Sequence, residues 1–302
     1  MTGALAYHAA AFGLRWLSDI PLMHFEAIDP DERSEADVRV ARATALAQRT
    51  PLAQLRRGQI YADGTRFPWE AEAVFDTHAG TRVDYLPGPN WNGVLPHAFY
   101  GTVAAHILAW RGLTPLHACA VELGGKAVLI AGTSGAGKSS LTAGLLGCGA
   151  ALVSDDLTAI AIRDGVAEAL PGRTTIRLGP EIACWTAGEE VVPPSPATRG
   201  KHVVRPAARI SAARLPLAGL LLLGAPIEAM PPAARGMMLA KHLFRPVWLA
   251  ALPGHRARQQ ALLELAARLP VIGFPAVEKT GEDAHRARAR DALALAETLV
   301  SS

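Results

Sequence analysis

At 302 residues, 50% of them apolar, the chain can bury a substantial core, and no stretch of it reads as disordered. Its net charge of +3 is scattered, without a Lys/Arg block long enough to track a phosphate backbone, so dedicated nucleic-acid binding is disfavoured. The three cysteines, Cys119, Cys148 and Cys184, lack C-x-x-C spacing and sit in or beside apolar segments, as reduced core residues of a cytoplasmic protein do.

In chain order, residues 1–95 read as a strand-rich N-terminal module. Tyr7–Leu14, Val38–Ala43, Ile60–Ala62 and Val83–Leu86 are short candidate strands broken by Pro21, Asp29-Pro30, Gly58, Asp63-Gly64 and Pro87-Gly88-Pro89. Trp16, Phe25, Trp69 and Trp91 read as core rather than as a ligand platform. From Pro96 to Trp110, Phe99, Val103, Ile107 and Leu108 recur at helical spacing, and Gly112 closes the run. Leu116–Leu123, the turn Gly124-Gly125 and Lys126–Ala131 then read as a hairpin, which places a strand beginning at His117 beside the strand that follows it.

That second strand runs into Gly132-Thr133-Ser134-Gly135-Ala136-Gly137-Lys138-Ser139, the pattern G-x-x-x-x-G-K-[ST], with a helix predicted from Ser140 to Leu146. Strand, glycine loop and helix together make a nucleotide triphosphate site. Glycines let successive N–H groups and the positive helix end face phosphate oxygens, Lys138 adds a mobile charge, and Ser139 offers a hydroxyl to Mg²⁺. Ala150–Val153 reads as a strand ending in Ser154-Asp155-Asp156. One carboxylate of the pair Asp155-Asp156 suits the metal and the other a reacting hydroxyl.

Leu157–Ile162 and Val166–Leu170 form a second predicted hairpin around Asp164-Gly165. Gly188–Gly200 is rich in proline and reads as a loop beside the site, with Arg199 and Lys201 at its far end. Leu217–Leu223 is a buried strand, and its apolar run, which ends at Gly224, is too short to span a bilayer; with no signal-like start to the chain, no membrane association is expected. Helical patterns cover Ala233–Leu243, His255–Leu269 and Glu282–Val300, with a strand at Val271–Phe274. His242 and Arg245 lie near the end of the first of these helices as ligand contacts or dipole compensation, and Arg286, Arg288 and Arg290 read as a solvated face.

Residues 117–156 resemble the core of the HPr kinase/phosphorylase family. Leu116-His117-Ala118, the glycine loop and Val153-Ser154-Asp155-Asp156 place a histidine 21 positions before the loop lysine and an aspartate 18 after it. The segments Phe12-Gly13-Leu14, Ser18-Asp19-Ile20-Pro21-Leu22, Ala36-Asp37-Val38 and Arg111-Gly112-Leu113-Thr114-Pro115 further resemble the HPr-kinase-like proteins of lasso-peptide clusters. The resemblance implies an α/β P-loop kinase domain over 96–302, of the type shared with phosphoenolpyruvate carboxykinase. It implies MgATP as cofactor and a serine of a ribosomal precursor peptide or protein as acceptor, rather than HPr. It also implies that Gly132 to Ser140 bind nucleotide, that Ser139 and Asp155 serve the metal, that Lys138 grips phosphate, that Asp156 is the general base and that His117 is its neighbour. Ser140 stands where the regulatory enzymes usually carry Glu. A homo-oligomer is implied by resemblance alone. A P-loop ATPase or GTPase, a non-catalytic nucleotide-binding regulator and a small-molecule kinase are the alternatives the residues themselves leave open.

Overall fold

Short alternations of buried and exposed residues, cut by tight turns, give the N-terminal region its strands, as in Leu14–Ser18, where every second side chain points inward. The computed structural model describes residues 5–30, 35–192, 198–211, 213–276 and 281–301. Nine strands occupy its first part: β1 (Tyr7–Ala11), β2 (Leu14–Ser18), β3 (Glu26–Ala27), β4 (Val38–Arg42), β5 (Ala53–Leu55), β6 (Gly58–Tyr61), β7 (Gly64–Trp69), β8 (Ala73–His78) and β9 (Arg82–Pro87). They form one sheet in the order β3-β1-β2-β4-β9-β8-β7-β6-β5. The single strand expected over Tyr7–Leu14 is two, because Phe12 and Gly13 both take positive φ and fold the chain into a hairpin. Strands β7 and β8 were not expected at all.

The predicted helix after Pro96 is a π turn over Phe99–Val103 that passes into α1 (Ala104–Trp110). Next come β10 (Thr114–Leu116), β11 (Ala118–Leu123), β12 (Lys126–Ala131), α2 (Lys138–Gly147), β13 (Ala151–Ser154), β14 (Thr158–Arg163), β15 (Val166–Leu170), β16 (Ile176–Leu178), α3 (Pro180–Ala183), β17 (Gly188–Val192) and β18 (His202–Pro206). The chain closes with β19 (Leu215–Leu223), α4 (Pro232–Lys241), α5 (Pro246–Ala251), α6 (His255–Arg268), β20 (Val271–Phe274) and α7 (Glu282–Ser301). A second sheet runs β10-β14-β15-β19-β12-β11-β13, with β20 also on β19; β12, β19 and β20 are parallel, the other pairs antiparallel. The chain is therefore the α/β protein expected, a P-loop sheet with a strand-rich N-terminal region.

Apolar faces on both sides of this sheet explain its helices. Leu141 and Leu145 of α2 and Ala292, Ala296 and Leu299 of α7 pack with Val128, Ile130 and Leu221 on one face. Met238 and Leu239 of α4 and Leu262 and Leu265 of α6 cover Leu129, Leu220 and Val271 on the other. The N-terminal sheet shares its core with this unit: Trp16, Phe25, Val40 and Phe75 lie in one cluster with Phe99, Ile107, Leu157 and Phe244. Trp69 and Trp91 pack partly buried against it.

Three other expectations change. Gly188–Val192 is a strand paired with β18 rather than loop, and residues 193–197 of that stretch lie outside the described ones. Of the cysteines, all free, only Cys119 is buried; Cys184 is exposed. Arg288 is not merely solvated: its guanidinium lies 4.4 Å over the Phe274 ring and donates to the carbonyls of Pro275 and Ala276. Among the described residues no helix is long and apolar enough to cross a membrane.

Packing also buries His106 of α1 completely, between the rings of Phe67 and Trp248, with Nδ1 3.0 Å from Thr65 Oγ1 and Nε2 without a partner among the described residues. Burial, reinforced by the charge of Arg245, lowers its pKa to about 3. An unfolded chain takes up that proton as the pH falls through about 6.5, whereas the folded chain does not. This contribution to stability is therefore complete above that pH and is lost progressively below it, at up to about 1.4 kcal/mol per pH unit. Chemical denaturation measured between pH 7.5 and 4.5 should show stability falling with acid, and His106→Phe should reduce that slope by about one proton's share; an unchanged slope would remove His106 as a source.

Candidate active site

The glycine loop sits where the sequence places it, between the end of β12 and α2. Gly135 and Gly137 adopt φ of 85° and 89°, values that side-chain-bearing residues rarely take, and these let the loop backbone turn tightly into α2. Gly132 passes so close to β19 that a Cβ would lie 2.9 Å from Leu223 Cβ. Lys138, the first residue of α2, is buried, and its Nζ donates to the carbonyls of Gly132 at 3.0 Å and Thr133 at 3.3 Å. The ammonium thus closes the loop on itself and is in place to exchange those carbonyls for phosphate oxygens.

Strand β11 separates β12 from β13, so the turn after β13 comes to the same edge as the loop. Asp155 is 1% exposed and faces the loop: its Oδ1 accepts from Ser139 Oγ at 2.8 Å and from Cys119 Sγ at 3.1 Å, and its Oδ2 accepts from the Arg177 N–H at 3.3 Å. Asp156 takes φ of 68°, a left-handed conformation that Asp tolerates better than most side chains. That reversal sends its carboxylate the other way, into a cleft of about 840 Å³.

His117 falls between β10 and β11 rather than starting a strand. Its N–H donates to the His242 carbonyl at 2.7 Å, its ring packs edge-on to Phe244, and its Nε2 lies 3.1 Å from Asp156 Oδ1. The second oxygen, Oδ2, faces His97 Nε2 at 3.6 Å and Arg173 Nη1 at 3.7 Å. Burial would raise the Asp156 pKa, but hydrogen bonds from His117 and His97 and the Arg173 charge outweigh it and hold the carboxyl well below its usual range. Burial, together with the same Arg173 charge, lowers His97 to about 4, so its imidazole is neutral at physiological pH.

The structure thus gathers Lys138, Ser139, Asp155, Asp156 and His117 at one edge of the sheet. Ser134 borders the cleft on the loop side. Arg199 and Arg245 also line it, both at positive φ, whereas Lys201 is exposed; His242 contributes its backbone carbonyl. His97, Arg173 and Arg177 are the residues that sequence reasoning missed. The only signal for the arginines was their repetition in Gly172-Arg173-Thr174-Thr175-Ile176-Arg177, past a hairpin from the motif, and His97 carried none.

The donor set fits a magnesium nucleotide. Among the described residues no cluster of three His, Cys, Asp or Glu side chains is arranged to hold a metal. Ser139 and Asp155 offer a hydroxyl and a carboxylate oxygen side by side, the sparse set with which Mg²⁺ binds when phosphates complete its shell.

No family model matches the chain, and no curated protein does. Among solved structures it is similar to the Hpr(Ser) kinase/phosphatase from Coxiella burnetii, at 15% identity over 62% of this chain and 93% of that one, with a TM-score of 0.32. The chemistry of the site has to come from this chain's own residues.

Cys119 offers a check on the inner half of the site. Burial and the neighbouring Asp155 carboxylate both raise its pKa, which keeps the thiol protonated as the donor to Asp155. Alkylation of the folded protein at pH 8 followed by peptide mass spectrometry should label Cys184 and spare Cys119 until denaturant is added. Labelling of Cys119 as fast as Cys184 would contradict this arrangement.

Proposed function

We propose that the chain is a kinase that transfers the terminal phosphoryl group of ATP to a serine hydroxyl of a peptide or protein, acting in the cytoplasm. The observation that carries this reading is the division of labour between two consecutive carboxylates. Asp155 is buried against the phosphate loop through Ser139, while Asp156, with its side chain 30% exposed, faces a cleft large enough for a second substrate. Pure nucleotide binding needs the first carboxylate and has no use for the second.

MgATP, when bound, supplies the transferable phosphoryl group and the metal charge that draws electron density from it. Lys138 and the loop N–H groups bind phosphate oxygens, and Ser139 and Asp155 present their two oxygens to the metal. Asp156 accepts a hydrogen bond from the acceptor hydroxyl and takes its proton as the new bond to phosphorus forms. Because its pKa is held well below the usual range, Asp156 is a weak base. Alignment of the hydroxyl and stabilisation of charge therefore supply most of the rate, with the proton collected late. The same low pKa lets Asp156 release the proton to the cleft after each turnover.

The catalytic unit in this reading is 96–302, with 1–95 as its N-terminal module. The sequence layout supports a ribosomal precursor peptide of the lasso type as the acceptor class. The cleft supports an extended segment over a small metabolite: its lining runs from Ser134 and Asp156 past Phe244 to Trp69 and Glu70 of the N-terminal sheet.

Incubation of the protein with Mg²⁺, ATP and a serine-bearing precursor peptide should add one phosphate to that serine by mass spectrometry. Asp156→Asn should lower the rate by about 10²–10⁴-fold, and Lys138→Ala by at least about 10²-fold, with thermal melting little changed. Phosphate release that ignores the acceptor would replace the kinase with a nucleotide hydrolase, and a fully active Asp156→Asn protein would remove Asp156 as the base.

A further inference from the structure

The guanidinium of Arg173 is fully buried, at 0% side-chain exposure, whereas those of Arg66 and Arg111 are partly exposed and bond carboxylates at 2.6 and 2.7 Å. Burying such a charge is costly without close partners. Its two terminal nitrogens face the two ring nitrogens of His97, Nη2 at 3.2 Å from Nδ1 and Nη1 at 3.4 Å from Nε2, and Nη1 lies 3.7 Å from Asp156 Oδ2. Nε has no partner among the described residues.

A guanidinium has only donors, so the imidazole nitrogen it bonds must present a lone pair. The shorter approach assigns that role to Nδ1. The proton of the neutral ring then sits on Nε2, the nitrogen that faces Asp156 Oδ2 at 3.6 Å. The longer Nη1–Nε2 approach becomes a contact between two donors that share the same carboxylate oxygen. We infer that Arg173 and His97 form a positioning pair for Asp156, Arg173 fixing the tautomer of His97 and His97 holding the second carboxylate oxygen while His117 holds the first. The role assigned to Asp156 rests on the kinase reading above; the state of His97 does not.

The fold goes to some length to place this pair. Gly172 leaves no room for a side chain, since a Cβ would lie 2.3 Å from Ser154 Oγ and 2.4 Å from the Phe12 ring. Around it, Phe12 N–H donates to the Pro171 carbonyl at 2.6 Å, Arg173 N–H to Ser154 Oγ at 3.2 Å, and Thr174 N–H to the His24 carbonyl at 2.9 Å. Phe12 and His24 belong to the N-terminal region, and His97 stands at the junction just before the π turn. Through this pair the N-terminal sheet reaches the reacting carboxylate, and neighbours on both oxygens, His117 at 3.1 Å and His97 at 3.6 Å, restrict the rotation of a group that must meet a hydroxyl along one lone-pair direction.

Two measurements on the full chain test the pair. Nitrogen-15 NMR of the imidazoles, on nucleotide-free protein at pH 7, should show His97 protonated at Nε2 and bare at Nδ1, with Arg173→Lys shifting it toward a mixture. A wild-type His97 protonated at Nδ1, or at both nitrogens, overturns the proposal whatever the activity, and this reading does not depend on Arg173→Lys folding. In kinetics with an acceptor that the wild-type protein phosphorylates, His97→Ala should lower kcat roughly ten- to a hundredfold, the share of a hydrogen bond to a charged group, with the nucleotide KM unmoved. His97→Gln, whose amide can still donate to Asp156 and accept from Arg173, should recover most of that loss. Equal losses in both variants, or a loss carried by KM, would reduce His97 to packing and overturn the proposal. A wild-type protein that phosphorylates no acceptor but shows the Nε2-protonated His97 sinks the kinase reading and leaves the Arg173–His97 hydrogen bond supported.

Discussion

The arrangement depends on one backbone reversal, the left-handed conformation of Asp156. In an ordinary strand, consecutive side chains point to opposite faces of a sheet and remain under control of the ladder. Here the ladder ends at Ser154, and the positive φ two residues later turns adjacent carboxylates toward different surroundings, one into the phosphate loop and one into the cleft. A left-handed non-glycine residue costs on the order of 1 kcal/mol or more, and it persists because its neighbours over-determine it. Those neighbours are the His117 and His97 rings and the Arg173 charge. Among the described residues with positive φ other than glycine, Glu70, Arg199 and Arg245 also border this cleft, so the backbone departures concentrate where ligands would be met.

The N-terminal sheet is tied to that reversal more closely than a separate module would need to be. Its core runs without a break into Phe99, Leu157 and Phe244, and Phe244 packs on the His117 ring. The π turn at Phe99–Val103 belongs to the same junction: a Cβ at Gly101 would lie 3.1 Å from the Phe244 ring and 3.8 Å from Asp156 Oδ2. Single π turns mark places where helix geometry gives way to a local requirement, and the requirement here is close approach of backbone to the carboxylate's aromatic neighbour.

These facts also mark where sequence reasoning stopped. The loop, its flanking strand and helix, and the Asp155-Asp156 pair were legible because their geometry is local: glycine spacing, an apolar run and a turn lie within forty residues and are dictated by backbone chemistry. Strand β7 was not legible because Pro68 breaks the pattern. The proline is tolerated there because β6 pairs only with the first half of β7, up to Arg66, so the bond that its missing N–H would have made lies on an open edge. The hairpin at Phe12-Gly13 hid inside a continuous apolar run, which periodicity cannot divide. His97, Arg173 and Asp156 meet only in three dimensions, from a junction, a turn after β15 and a turn after β13. No spacing rule connects them.

The charges of the site point in one direction. Arg173, Arg177 and Arg199 gather near two carboxylates, and Lys138 stands in the loop beside them. Arg177 is lowered first by burial and then by its cationic neighbours Arg173 and Arg199, while the pull of Asp156 and Asp155 only partly offsets this. Like charges held together inside a low-dielectric cleft repel, a cost the folded chain carries until an anion enters. The glycine loop supplies the geometry for phosphate and this surplus supplies the field. A neutral ligand would relieve neither the repulsion among the arginines nor the inward bonding of Lys138 to its own loop carbonyls, whereas a polyphosphate relieves both at once.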